Sequence, residues 1–181
     1  MLKNMIRLSK RLRRHGVLGL ILIWTGCQTQ PHLVLERVGP ASSGTPLSKV
    51  ALIGSGYLVV YSATETRHSG KSLKVYPHTS YVIETEEGKF LKWISNATGP
   101  IDENPSVVRL RAGFYKIRAQ DDNYGRITVP VLVQDGQTTT VYLETRAVPA
   151  TELLDANNSV RLPDGRFVGR RAQEPAQSRG E

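Results

Sequence analysis

The run Gly125-Arg-Ile-Thr-Val-Pro-Val-Leu-Val-Gln-Asp135-Gly136-Gln-Thr-Thr-Thr-Val-Tyr-Leu-Glu144 decides the fold class. In residues 125–134, Ile127, Val129, Val131 and Val133 share one face of an extended chain. Thr128, Pro130, Leu132 and Gln134 share the other, because side chains alternate across a strand. Apolar residues at period two mark a strand with a buried face. Asp135-Gly136 tolerates positive φ at both positions, which predicts a hairpin to a second strand over 138–144. Pro130 has no amide hydrogen for a ladder, so the first strand is expected at a sheet edge or bulged there.

The same period extends upstream. Strands are expected near 56–63, 72–76, 80–85, 89–95, 106–111 and 113–120, rich in Val, Ile, Tyr and Thr. Glu86-Glu-Gly88, Ala112-Gly113 and Asn123-Tyr-Gly125 supply the turns between them. No stretch between 50 and 145 keeps a helical period. Frequent turns and short strands predict an all-β fold, an antiparallel β-sandwich of about seven or eight strands. Its core is expected to take Leu58, Val60, Leu73, Val75, Val108, Leu110, Tyr115, Ile117, Ala119, Val141 and Leu143. Lys116, Arg118 and Gln120 are expected to point outward. Trp93 is expected in the core, with an exposed stacking platform as the alternative.

Residues 108–144 include Val-Arg-Leu-Arg-Ala-Gly-Phe-Tyr-Lys-Ile-Arg-Ala, then Val-Pro-Val-Leu-Val-Gln-Asp-Gly-Gln, then Thr-Val-Tyr-Leu-Glu. This order resembles the second half of a PEGA-type or carboxypeptidase-regulatory-like (transthyretin-like) sandwich. Gly56-Tyr-Leu-Val-Val-Tyr-Ser resembles the opening strand of those domains. The likeness covers about half of the chain after Cys27 and departs at the middle strands, where the short repeat that names the PEGA group is absent. It implies a sandwich that serves as an accessory or binding module, without catalysis.

The amino terminus has a different chemistry. Lys3, Arg7, Lys10, Arg11, Arg13 and Arg14 precede the apolar run Val17–Trp24, and no acidic residue does. Of 24 basic residues these are six, so the remaining 18 against 16 acidic leave +2 of the formal +8. The high net charge therefore belongs to a targeting segment, and no nucleic-acid partner is expected. The apolar run is far shorter than the ~20 residues needed to span a bilayer, which fits an export signal over 1–26. Trp24-Thr25-Gly26-Cys27 resembles a bacterial lipobox, with Trp24 where an aliphatic residue is usual. The resemblance implies that Cys27 is lipidated on its thiol and becomes the first mature residue. Gln28 after the cysteine, by analogy with diderm lipoproteins, implies the outer membrane. Cys27 is the only cysteine, so disulfides, cysteine metal sites and thiol catalysis by the folded part are excluded.

Residues 27–49 read as the lipidated cysteine and a turn-rich tether, in which Leu33-Val-Leu35 is a weak strand. The sandwich is expected over 50–145. Residues 146–181 read as a charged, partly disordered tail with a late hairpin around Pro163-Asp-Gly165.

His32, His68 and His78 have no zinc-ligand spacing, and no nucleophile elbow or phosphate loop is present. Strand alternation puts loops 77–79, 96–105 and 121–125 at one end. That end gathers oxygen-bearing side chains, so Asp102, Asp121 and Asp122 are calcium candidates; solvated turns are the plainer expectation. No other cofactor is expected. These readings predict a non-catalytic, lipid-anchored envelope protein, an interaction or assembly module. The expected partners are the membrane through Cys27 and an envelope protein or polysaccharide. The alternatives are a carbohydrate-binding module using Trp93 or Tyr124, and a small periplasmic hydrolase using the acidic loop end.

Overall fold

The computed structural model describes residues 32–41, 53–69, 73–97, 99, 101–146 and 156–173. Cys27 and the expected signal segment lie outside the described residues. The chain is all-β. Its strands are β1 (Leu33–Val34), β2 (Val38–Gly39), β3 (Ser55–Tyr61), β4 (Arg67–Ser69), β5 (Leu73–Val75), β6 (Tyr81–Thr85) and β7 (Phe90–Ile94). They continue with β8 (Val107–Arg111), β9 (Gly113–Asp121), β10 (Gly125–Val133), β11 (Thr138–Tyr142), β12 (Ser159–Arg161) and β13 (Phe167–Arg171). The larger sheet runs β12-β13-β2-β10-β9-β6-β7, with β1 also paired to β10. A smaller sheet runs β11-β3-β8, and β4-β5 is a separate hairpin.

The core lies between the inner faces of the two sheets. Ile83, Ile117, Ile127, Val129 and Val131 of the large sheet belong to one buried cluster with Leu58, Val60, Val108 and Val141 of the small one. Each such aliphatic side chain contributes about 1.5–3 kcal/mol on burial.

The Asp135-Gly136 turn is present, with Gly136 at φ 65, but it does not close a hairpin. β11 pairs in parallel with β3, from Thr138↔Tyr57 to Tyr142↔Tyr61. The turn therefore carries the chain from one sheet to the other. Its groups bond to the start of β3: the Ser55 amide donates to Asp135 Oδ1 at 2.9 Å, the Gly136 amide to Ser55 O and the Tyr57 amide to Gln137 O. Close approach is possible because residue 56 is glycine; a Cβ there would stand 2.0 Å from Gln134 O. Inward and outward positions in β10 and β11 are the same for a hairpin and for an arch between sheets, so alternation does not distinguish them.

Pro130 lies in a central strand, not at an edge. β9 pairs along one side of β10, and β1 and β2 along the other. The Leu35 amide donates to Thr128 O, so by alternation the backbone of Pro130 faces the β1–β2 flank. β1 ends at Val34 opposite Thr128, and β2 begins at Val38 opposite Val131. The missing donor falls at the break between these short strands, which is how a proline is tolerated inside the sheet.

From Thr128 onward both faces of β10 are largely covered. Thr128, Leu132 and Gln134, expected to face solvent, are buried. The segment entering the sheet supplies part of the cover. His32 Nε2 lies 2.6 Å from Thr128 Oγ1, and the Arg37 guanidinium stacks 4.4 Å from the Phe114 ring centroid, beside Leu132 across the ladder. Thus part of the expected tether is sheet, and Val38 is fully buried.

The late hairpin forms, β12 against β13, and β13 joins the large sheet through β2. Arg170 and Arg171, expected in a disordered tail, lie in β13. β1, β2, β12 and β13 belong to the same compact unit as β3–β11, so the sandwich is broader than 50–145.

Candidate functional site

Two regions of the outer surface concentrate chemistry. The first is the loop end proposed for calcium. The loops do approach one another: Glu103 Oε1 accepts the Tyr76 amide at 2.6 Å, and Asp122 Oδ2 accepts the amide and hydroxyl of Thr145, each at 3.0 Å. The three candidate aspartates are nonetheless not a metal cluster. Among the described residues no group of three or more His, Cys, Asp or Glu side chains could hold an ion. Asp102 accepts the Asn104 amide at 3.0 Å. Asp121 is buried; it accepts the amides of Asn123 and Tyr124 at 2.8 and 2.9 Å. Its charge meets Arg166, whose Nη2 donates to both carboxylate oxygens at 2.9 and 3.1 Å. The neighbouring cation is thus an arginine from the late hairpin.

Glu144, which sequence reasoning passed over, sits among these groups. Burial pushes its carboxyl above the ordinary range, with Asp122 and Glu103 adding to the rise against His78 and Arg146. His78 is buried, and its Nδ1 donates to Ser62 O at 2.8 Å, a bond that fixes the tautomer because a carbonyl only accepts. Glu144 Oε2 is 3.9 Å from the same nitrogen. The Ser62 hydroxyl donates to Thr79 O and accepts from Asn96 Nδ2 at 3.0 Å. Asn96 is fully buried and also bonds Val60 O and the Ser106 amide. These bonds tie loops together, and the Ser62 hydroxyl proton is directed at a carbonyl rather than at the imidazole. His68 pairs with Lys74 in the β4-β5 hairpin.

The second region is the outer face of the large sheet near its β7 edge. Trp93 is 60% exposed, contrary to its expected place in the core. The reason is register. A bulge lies between Ile83 and Glu84 where they meet β7, and Tyr81 pairs with Ile94 while Val82 pairs with Trp93. Ile94 therefore takes the inner side and Trp93 the outer. Among the described residues no strand pairs with the outer edge of β7; Phe90 and Leu91 are exposed on the same strand. An apolar group of this kind on a polar surface marks a contact site.

The indole stands between two hollows. One, of about 380 Å³, is lined by Glu65, Arg67, His78, Thr79, Trp93 and Gln120, among others. The other, of about 210 Å³, is lined by Val82, Trp93, Arg118, Gln120 and Arg126, among others. Ladder geometry sets these residues side by side: Trp93 opposes Val82, Val82 opposes Arg118, and Gln120 opposes Arg126. Arg67 is paired with Glu65 at 3.2 Å and Arg118 with Glu84 at 2.8 Å. Three solvent-shielded polar atoms of lining residues lack a hydrogen bond: Thr79 Oγ1 in the larger hollow, and Tyr81 Oη and Arg118 Nε in the smaller. A flat aromatic face bordered by donors and acceptors suits a ligand with one apolar face and polar edges. Tyr124, the other expected platform, is half-buried against the core.

No family model, curated protein or solved structure matches the chain. The site therefore rests on its own geometry.

Proposed function

We propose that this protein is a non-catalytic, lipid-anchored component of a bacterial envelope, whose β-sandwich is an interaction or assembly module. The exposed aromatic edge of the large sheet carries the reading: Phe90, Leu91 and Trp93 lie uncovered on an edge strand, where a purely structural sheet is normally blunted. The resemblance to PEGA-type and carboxypeptidase-regulatory-like sandwiches supports an accessory role. The lipobox-like Trp24-Thr25-Gly26-Cys27 supports the anchor, and Gln28 supports the outer membrane. Among the described residues no helix is long and apolar enough to cross a membrane, and a lipid on Cys27 supplies attachment without one. Stable anchoring takes more than one acyl chain. Five residues separate Cys27 from β1. Since an extended chain spans at most about 3.5 Å per residue, this short spacer would hold β1 within about 20 Å of the headgroups.

The anchor is tested by metabolic labelling with an alkynyl fatty acid. Label should appear on the wild type and vanish from Cys27→Ser. Label on both, or on neither, refutes the lipoprotein reading.

A further inference from the structure

We infer that the Trp93 groove binds a saccharide chain bearing a carboxylate. The ring stacks on the indole, and the carboxylate meets Arg126. The inference rests on the reading of the sandwich as an interaction module and names the chemistry of its ligand.

The shape of the site comes first. A sugar ring has a face of C–H groups and a rim of hydroxyls, so it matches an exposed indole whose surroundings are polar. Trp93 provides such a face, and the hollows on its two sides give room for successive residues of a chain rather than for one ring. Polar groups stand where hydroxyls would come. Gln120 is exposed and lines both hollows. Ser80, half-buried, also lines both hollows.

Charge then selects the kind of saccharide. The guanidinium groups of Arg67 and Arg118 are engaged by Glu65 and Glu84. Arg126 is exposed and forms no ion pair with any described residue. It opposes Gln120 on the neighbouring strand, so fork and amide stand together. A guanidinium grips a carboxylate with two parallel hydrogen bonds, a geometry that a hydroxyl cannot match.

The chain contains two tryptophans, Trp24 and Trp93. Protein expressed with Trp24→Phe and purified in detergent therefore reports on the groove through its only indole, whether or not the segment before Cys27 has been removed. The probes are an oligogalacturonate, solubilised peptidoglycan strands, a neutral oligoglucan of equal length and vesicles of phosphatidylglycerol with phosphatidylethanolamine. The expected result is a saturable change in Trp93 emission with at least one acidic glycan, weaker at high salt, and none with the oligoglucan. By calorimetry, Trp93→Ala should abolish that binding, and Arg126→Gln should weaken it by about tenfold or more. Circular dichroism should show both variants folded. The inference is overturned if neither acidic glycan binds, if acidic and neutral chains bind alike, or if Trp93→Ala binds as the wild type does. It is also overturned if only vesicles change the emission, which would make the groove a lipid-contact surface, or if only self-association does. A labelled Cys27 with no glycan binding would defeat this inference while leaving the anchor reading intact.

Discussion

Replacing Arg166 by Met removes the cation from a carboxylate that the fold buries. The Asp121 side chain has no exposed surface, and that of Arg166 retains 20%. Stranding a buried charge by deleting its partner typically costs about 3–5 kcal/mol. Two features reduce that here. Asp121 keeps its bonds from the Asn123 and Tyr124 amides, and the partly exposed guanidinium is already screened by solvent. The expected loss is about 2–3 kcal/mol, which lowers the urea midpoint by about 1–2 M at ordinary denaturant slopes. Methionine preserves most of the aliphatic stem, so the loss reports on charge rather than on packing. Urea unfolding of the wild type, Arg166→Met, Asp121→Asn and the double variant closes a thermodynamic cycle. The double variant should be more stable than the sum of the two single losses predicts. The loss should persist in 1 M salt, because a buried pair is weakly screened. A loss below about 0.5 kcal/mol for Arg166→Met would refute the reasoning. The ion pair would then be incidental, and the late hairpin would not be held to the acidic loop end by it.

Val131→Asp and Leu132→Asp test the cover over β10. Alternation alone makes the first severe and the second mild. The structure buries both, at 0% and 1% exposure, so both should lose several kcal/mol in thermal or urea melts; a stable Leu132→Asp would show the outer face to be open. Glu144→Gln should change the pH profile of stability. The folded carboxyl titrates above its unfolded value, so its contribution is full below about pH 4 and is lost as pH rises through the raised folded value. Melting temperatures of wild type relative to the variant should therefore fall across that window, and parallel profiles would sink the assignment.

The legible parts of the fold were the strands themselves. Eight were readable between residues 56 and 144, because alternation and turn residues are local properties of the chain. The inner face of β9 and β10 was readable for the same reason. The groove was not. Trp93 on a strand next to Ile94 gives no sign of which residue turns inward, since both are large and apolar. The pairing of Ile94 with the buried Tyr81, and of Trp93 with Val82, settles it. Arg126 and Gln120 are 33 and 27 residues away from Trp93 in sequence, and only the ladders bring them alongside. Glu144 escaped notice because its neighbours His78, Glu103 and Asp122 come from three different loops.

By itself the sequence determined the strand content, the inward set of β9, β10 and β11, the basic-then-apolar start and the single cysteine. These follow from period, composition and short-range turn chemistry. Only the tertiary structure decided which strand pairs with which. Asp135-Gly136 permits a hairpin or a crossing between sheets, and the crossing occurs because Gly56 lets β3 come close enough to bond the turn. Only the tertiary structure enrolled Val38 and the late hairpin in the large sheet, since very short strands gain their stability from partners distant in sequence. It also set Arg166 against Asp121, because a buried carboxylate is neutralised by whichever positive group the fold brings to it.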